Sequence, residues 1–97
     1  MKSPDFRKSA HDFVDWMADY FESIEKYPVK SQVKPGEILQ KIKKEPPLQG
    51  EPMETIFNDF KEKILPGITH WQSPNFFAYF PANSSYPSVL AEMITSA

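Results

Sequence analysis

The sequence predicts a mostly α-helical chain. Three observations carry this. Apolar residues recur in steps of three and four over residues 6–24 and again over 53–64. Prolines stand where those helices would start, at Pro4, Pro52 and Pro87, rather than inside them. Period-two patterning of the kind a strand needs is confined to one short aromatic stretch near residue 78.

The first helix opens at Ser3-Pro4, with Ser3 as the expected cap and Pro4 as the first helical residue. Its stripe runs Phe6, Ala10, Phe13, Met17, Tyr20 or Phe21, and Ile24, while Asp12, Asp15, Asp19 and Glu22 fall off it. Trp16 lies beside the stripe and widens it. Tyr27-Pro28 is the expected end. Residues 28–52, broken by Pro28, Pro35-Gly36, Pro46-Pro47 and Gly50, read as a connector with one short helix over about 37–43. Ile38, Leu39 and Ile42 are its expected buried side, and Lys41, Lys43 and Lys44 a solvated one. Pro52 opens the next helix, with Met53, Ile56, Phe57, Phe60 and Ile64 at helical spacing, and Pro66-Gly67 stops it. Neither helix buries its stripe alone. They pack on each other, on a partner or on further polypeptide.

From Gly67 to Tyr86 no helical stripe fits. Trp71, Phe76, Phe77, Tyr79, Phe80 and Tyr86 crowd between Pro74, Pro81 and Pro87. The run 76–80 reads as a short strand or an extended loop. Leaving each large aromatic in water costs about 1.5–3 kcal/mol, so the segment is either covered or a binding surface. Ser84-Ser85-Tyr86-Pro87 starts the last helix. Its final stretch, Leu90 to Ala97, has no closing glycine or basic residue, which reads as a sequence cut within a helix.

The 97 residues suffice for one small domain with a modest core. A net charge of −2 gives no electrostatic footprint for nucleic acid or an anionic membrane. The absence of cysteine excludes disulfides, thiolate catalysis and zinc–thiolate sites, and is compatible with a reducing compartment. Met1 to Asp5 leads into an amphipathic pattern with no apolar stretch of the secretory kind, and no run is long enough to span a bilayer. A soluble cytoplasmic protein is the expectation.

No self-sufficient catalytic motif is present. The three glycines are far apart and form no phosphate loop. His11 and Asp15 are an i,i+4 pair, a surface contact before a metal site. His70 reads as a packed or hydrogen-bonded histidine before a catalytic one. Ser84 and Ser85 read as caps, with anion binding at the helix start as the alternative. The aromatic cluster has three readings: core, subunit interface, or the wall of a pocket for a flat ligand.

The run from Pro66 through His70-Trp71-Gln72-Ser73-Pro74-Asn75-Phe76-Phe77-Ala78-Tyr79-Phe80 to Pro81 resembles the aromatic-L-amino-acid decarboxylases, the group II pyridoxal-phosphate-dependent enzymes that include dopa, tyrosine, tryptophan and histidine decarboxylases. Ser84 to Pro87, Leu90 to Met93, Asp15 to Tyr20 and Val33 to Gly36 extend the likeness over essentially the whole chain. The resemblance implies the helical N-terminal segment of a type I, aspartate aminotransferase-like fold. It implies a homodimer in which residues 1–66 form a dimerisation segment against a second identical subunit. Residues 67–86 are then an aromatic loop lining the substrate pocket, and 87–97 the start of a helix leading into the cofactor-binding domain. Trp71, Tyr79, Phe80, Pro81 and Ala82 match substrate-pocket positions. Animal dopa decarboxylases carry threonine where this sequence has Ala82, which leaves a catechol without that hydroxyl. The family's catalytic lysine, its acidic partner and its ring-stacking histidine have no counterpart here. Lys41, Lys43, Lys44, Lys61 and Lys63 do not match the lysine motif. The expected cofactor, pyridoxal 5'-phosphate, therefore belongs to the full-length enzyme, and this chain alone is expected to be inactive. The alternatives are a related aromatic aldehyde synthase and a non-enzymatic helical interaction module.

Overall fold

The computed structural model describes residues 1–79 and 84–97. Among them the regular structure is helical, with no strand. Helix α1 spans Ser3–Glu22, α2 Glu37–Lys41, α3 Met53–Asp59 and α4 Tyr86–Ser96. α1 begins one residue earlier than its sequence suggests. Lys2 is the capping position, extended at φ −89° and ψ 161°, so Ser3 is already helical. The first turn is held by Asp5, whose carboxylate accepts from the Lys2 amide at 3.3 Å. That places an acid where the helix dipole favours one. α1 ends at Glu22, a 3-10 turn covers Ile24–Lys26, and Tyr27 is extended.

α3 begins after Pro52, whose fixed φ of −57° suits a helix start. It then widens into a π-helical turn, Phe60–Ile64, where the Leu65 amide donates to the Phe60 carbonyl five residues back. A 3-10 turn, Leu65–Gly67, closes the element. α4 is capped as expected: the Ser85 hydroxyl accepts from the Ser88 amide at 3.3 Å.

The short α2 starts from Gly36, which lies in the left-handed region at φ +82°. Its expected buried side is corrected. Leu39 is 75% exposed and Ile42 45%, and Ile38 alone turns inward, against Gly67. Five residues make little more than one turn, too few to align a stripe.

α1 packs on α3 through aromatic rings. Phe57 lies 4.3 Å from Phe13, centroid to centroid, and 5.6 Å edge-on from Trp16. Trp16 also meets Phe60 edge-on at 5.5 Å and stacks on Tyr20 at 5.3 Å. Each such pair adds about 0.5–1.5 kcal/mol beyond the area it buries. Phe21 meets Tyr86 edge-on at 5.6 Å and so ties α1 to the start of α4. Tyr20 and Phe21, competing for one place on the stripe, thus serve different neighbours.

The core these contacts enclose is small. Of the described hydrophobic residues only Ile24 and Leu65 are buried. The accessible surface is 8251 Å², whereas a compact monomer of this mass exposes about 5,700 Å². The radius of gyration is 15.5 Å, against about 12.5 Å for a compact chain of this length. The surplus, about 2,500 Å², includes Phe6, Leu48, Phe77, Leu90 and Ile94, all more than half exposed. An apolar groove of about 250 Å³ runs between Phe6, Phe13 and Met17 of α1, Met53 of α3 and Met93 of α4.

Candidate functional site

The aromatic loop leaves the helical body at His70. Its amide donates to the Val29 carbonyl at 3.0 Å, and the Ser31 hydroxyl donates to the Pro66 carbonyl at 2.8 Å. The connector and the loop root are thereby stitched together. The His70 side chain is 2% exposed. Its Nδ1 shares a 2.7 Å hydrogen bond with the Tyr20 hydroxyl, and its ring lies 4.8 Å from that of Tyr27. Burial lowers the imidazole pKa below its ordinary 6.5, which keeps the ring neutral at physiological pH. Burial, with Tyr27 next to it, raises the Tyr20 phenol above 10.0. His70 is therefore the packed, hydrogen-bonded histidine that its sequence context suggested.

One residue on, the chain turns outward. Trp71 is 44% exposed. Its indole lies nearly parallel to Phe76, at 5.1 Å and 22°, and to Tyr79, at 6.0 Å and 12°. Between them Ser73, 5% exposed, organises the turn. Its amide donates to the His70 carbonyl, its own carbonyl accepts from Phe76, and its hydroxyl accepts from Asn75. Tyr79 has φ +58°, a left-handed conformation that costs a non-glycine residue about 1–3 kcal/mol. Over the described residues 76–79 the strand alternative thus fails: Tyr79 is left-handed, and Phe76 and Tyr79, of opposite parity, both reach Trp71. At the far end the Ser84 amide donates to the Gln72 side chain at 3.1 Å, so the loop is pinned across its base.

Of the five substrate-pocket residues anticipated, Trp71 and Tyr79 are thus brought together. Phe80, Pro81 and Ala82 lie outside the described residues. Phe76, which the sequence marks only as one of the crowded aromatics, and Ser73, which it does not mark, belong to the same unit. The proline and glycine punctuation of the segment was the available signal for a turn, whereas nothing in the sequence marks a pairing of Tyr20 with His70.

The arrangement gathers three nearly parallel aromatic rings, of which Trp71 and Tyr79 are open to solvent. Rings suit such a group by area and by stacking. Residues 35–97 match the family described as the pyridoxal-dependent decarboxylase conserved domain. The chain belongs to the pyridoxal-dependent decarboxylase family. A phenylacetaldehyde synthase of Petunia hybrida is 52% identical over 92 residues, 95% of this chain and 18% of that protein. Tyrosine decarboxylase 2 of Narcissus pseudonarcissus is 48% identical over 96 residues, 99% of this chain and 19% of that protein. The crystal structure of Catharanthus roseus tryptophan decarboxylase in complex with L-tryptophan superposes with a TM-score of 0.88 at 43% identity, covering 99% of this chain and 21% of that one. This decarboxylase-family chain therefore spans about one fifth of the proteins it matches, and its fold is that of their N-terminal segment. The surplus of exposed apolar surface is what such a segment requires.

Four lysines of this decarboxylase segment are engaged elsewhere. Lys8 pairs with Asp12 and Lys63 with Asp59, each at 2.7 Å. Lys43 lies 3.7 Å from Glu51, and the Lys61 ammonium 4.8 Å from the Phe57 ring centroid. The Ser88 amide, at the start of α4, is taken by Ser85. An amine and free amides for a phosphate are the usual needs of a pyridoxal cofactor. With these contacts, Lys8, Lys43, Lys61, Lys63 and the Ser88 amide do not make that cradle. His11 and Asp15 are both exposed, and among the described residues no group of three or more His, Cys, Asp or Glu side chains is placed to hold a metal ion. No helix among the described residues is long and apolar enough to cross a membrane.

Proposed function

We propose that this chain is the N-terminal part of a pyridoxal-phosphate-dependent enzyme that decarboxylates an aromatic L-amino acid to its amine and carbon dioxide. Within that enzyme it supplies the wall against which the substrate side chain lies. The observation that carries the reading is the Trp71, Phe76 and Tyr79 ring unit, held open to solvent by a root of hydrogen bonds. An aromatic side chain would extend that stack and bury what is now exposed. The names of the relatives, which include a tyrosine decarboxylase and a tryptophan decarboxylase bound to L-tryptophan, support the same class of substrate. Phe80, Pro81 and Ala82 complete the wall in this reading. Ala82 offers no hydroxyl, so Ala82→Thr is expected to shift preference toward ring-hydroxylated substrates.

Residues 1–66 are assigned to a dimerisation surface, since their stripes are only half covered, and 67–86 to the pocket wall. Residues 87–97 lead toward the domain that holds the cofactor. The partner is a second identical subunit, and the setting is cytoplasmic. In this reading the chain's task is to hold the side chain and exclude water, while the cofactor carries the bond-breaking chemistry.

The test is a graft. This chain replaces the corresponding segment of the Catharanthus roseus tryptophan decarboxylase. Release of carbon dioxide from an aromatic amino acid, lost on Trp71→Ala with the dimer intact, is the expected result. A properly assembled graft that is inactive on tyrosine, tryptophan, phenylalanine and dopa would refute the reading. The likeness to a phenylacetaldehyde synthase favours a second reading, an aromatic aldehyde synthase. Product analysis in the full-length enzyme, amine against aldehyde, separates the two.

A further inference from the structure

We propose that Tyr20 and His70 act together as a positioning pair that sets the attitude of the Trp71 ring unit, and hence how the enzyme grips an aromatic side chain. The inference rests on the pocket-wall reading above. It starts from an asymmetry between adjacent residues. His70 is 2% exposed, the most buried polar side chain described, whereas Trp71 beside it is 44% exposed. The backbone between them is the pivot of the loop. The Trp71 amide donates to the Thr69 carbonyl at 3.1 Å, a tight local turn, and the His70 carbonyl accepts from Ser73 at 3.0 Å. Whatever fixes the imidazole therefore fixes the direction in which the indole leaves.

Beyond the contact of the Tyr20 and His70 rings themselves, 5.7 Å apart between centroids, three contacts fix it. The His70 amide is bonded to Val29, the ring packs against Tyr27 at 4.8 Å, and Nδ1 is bonded to the Tyr20 hydroxyl at 2.7 Å. Among the described residues the last is the one hydrogen bond from His70 to α1, across 50 positions of sequence. Tyr20 is in turn stacked on Trp16, which meets Phe57 and Phe60 edge-on. The loop root is thus registered against the α1–α3 body through a single directional bond. Burial keeps the imidazole neutral, so it has one acceptor and one donor nitrogen rather than two donors.

A packing role alone would make the pair matter to stability and nothing else. A positioning role also moves the ring unit. In the grafted enzyme, Tyr20→Phe removes one hydroxyl and keeps the ring. We expect the KM for L-tryptophan to rise about three- to tenfold, the size of one lost hydrogen bond, with kcat within about twofold. With Tyr20 intact, His70→Asn, which retains a polar group near the Nδ1 position for the Tyr20 hydroxyl, should raise KM less than His70→Leu does. An activity-independent readout is the fluorine resonance of 5-fluorotryptophan at Trp71, assigned by its loss in Trp71→Phe. It should shift or broaden in Tyr20→Phe. A KM and a Trp71 resonance both unchanged in Tyr20→Phe, with only a lowered melting temperature, would overturn the proposal. That outcome needs no His70 variant to fold. If the assembled graft turns over no aromatic amino acid yet the Trp71 resonance responds to Tyr20→Phe, the pair still positions the ring unit, and it is the substrate reading that falls.

Discussion

Phe57 and Phe77 are the same side chain in opposite surroundings, and replacing each with alanine should separate the parts of this fold that stand alone from those that wait for more protein. Phe57 is half-buried, within 4.3 Å of the Phe13 ring centroid, 5.6 Å of Trp16 and 6.1 Å of Phe60, with the Lys61 ammonium above it. A fully buried phenylalanine costs about 3–5 kcal/mol on truncation, so a half-buried one costs about 2 kcal/mol. Phe77 is 90% exposed, and a change at such a site stays within about 0.5 kcal/mol. Amide hydrogen exchange of the chain at low micromolar concentration, read by mass spectrometry over α1 and α3, resolves the two. At about 1.4 kcal/mol per factor of ten, Phe57→Ala should speed exchange roughly 30-fold and Phe77→Ala no more than about twofold. Within the full-length enzyme the ranking should narrow, because covering Phe77 adds about 1.5–3 kcal/mol to its cost. Equal effects of both variants in the isolated chain would refute the division between a packed body and an open loop.

Three further outcomes follow from the same structure. The chain by itself should self-associate at tens of micromolar and bind a hydrophobic dye, given its surplus surface of about 2,500 Å²; a monodisperse monomer in sedimentation without dye binding contradicts this. Acid should loosen the loop root. Because burial holds His70 below 6.5, the unfolded chain takes up that proton first, so the stabilisation is whole above about pH 6.5 and declines as pH falls toward the lowered folded value. His70→Gln should flatten that part of the stability profile. Gly67→Ala should cost about 1–3 kcal/mol by overpacking, since a Cβ there would meet the Ile38 side chain at 2.9 Å; adding Ile38→Ala should return part of it, as measured by chemical denaturation.

The helices were readable because their information is local. Steps of three and four put Phe6, Phe13 and Met17 on one side of α1, and Ser85 ahead of Pro87 marks the start of α4. Trp16 was placed at the margin of the stripe, yet its large ring reaches three partners from there. The Ser3 cap was misplaced by one residue because Asp5 supplies the polar partner from inside the helix. What periodicity does not encode is contact at a distance. The Tyr20–His70 bond joins residues 50 apart, and no pattern within either segment predicts it. The ring unit was legible as composition but not as geometry, since the left-handed turn at Tyr79 breaks the alternation that an extended chain would follow.

The wide turn at Phe60–Ile64 bears on how related chains can differ in length. Its closing bond spans five residues instead of four, so the turn holds nearly one residue more than regular coiling needs. Deleting a residue there lets the coil tighten while Leu65 keeps its inward heading. Deleting one from α1 instead swings every later side chain by about 100°, taking Tyr20 away from His70. Length changes in descendants of this segment should therefore collect between Phe57 and Leu65 and avoid the stretch from Phe13 to Tyr20. The spare residue works as slack in the coil, taking up a loss that elsewhere in the helix would rotate everything after it.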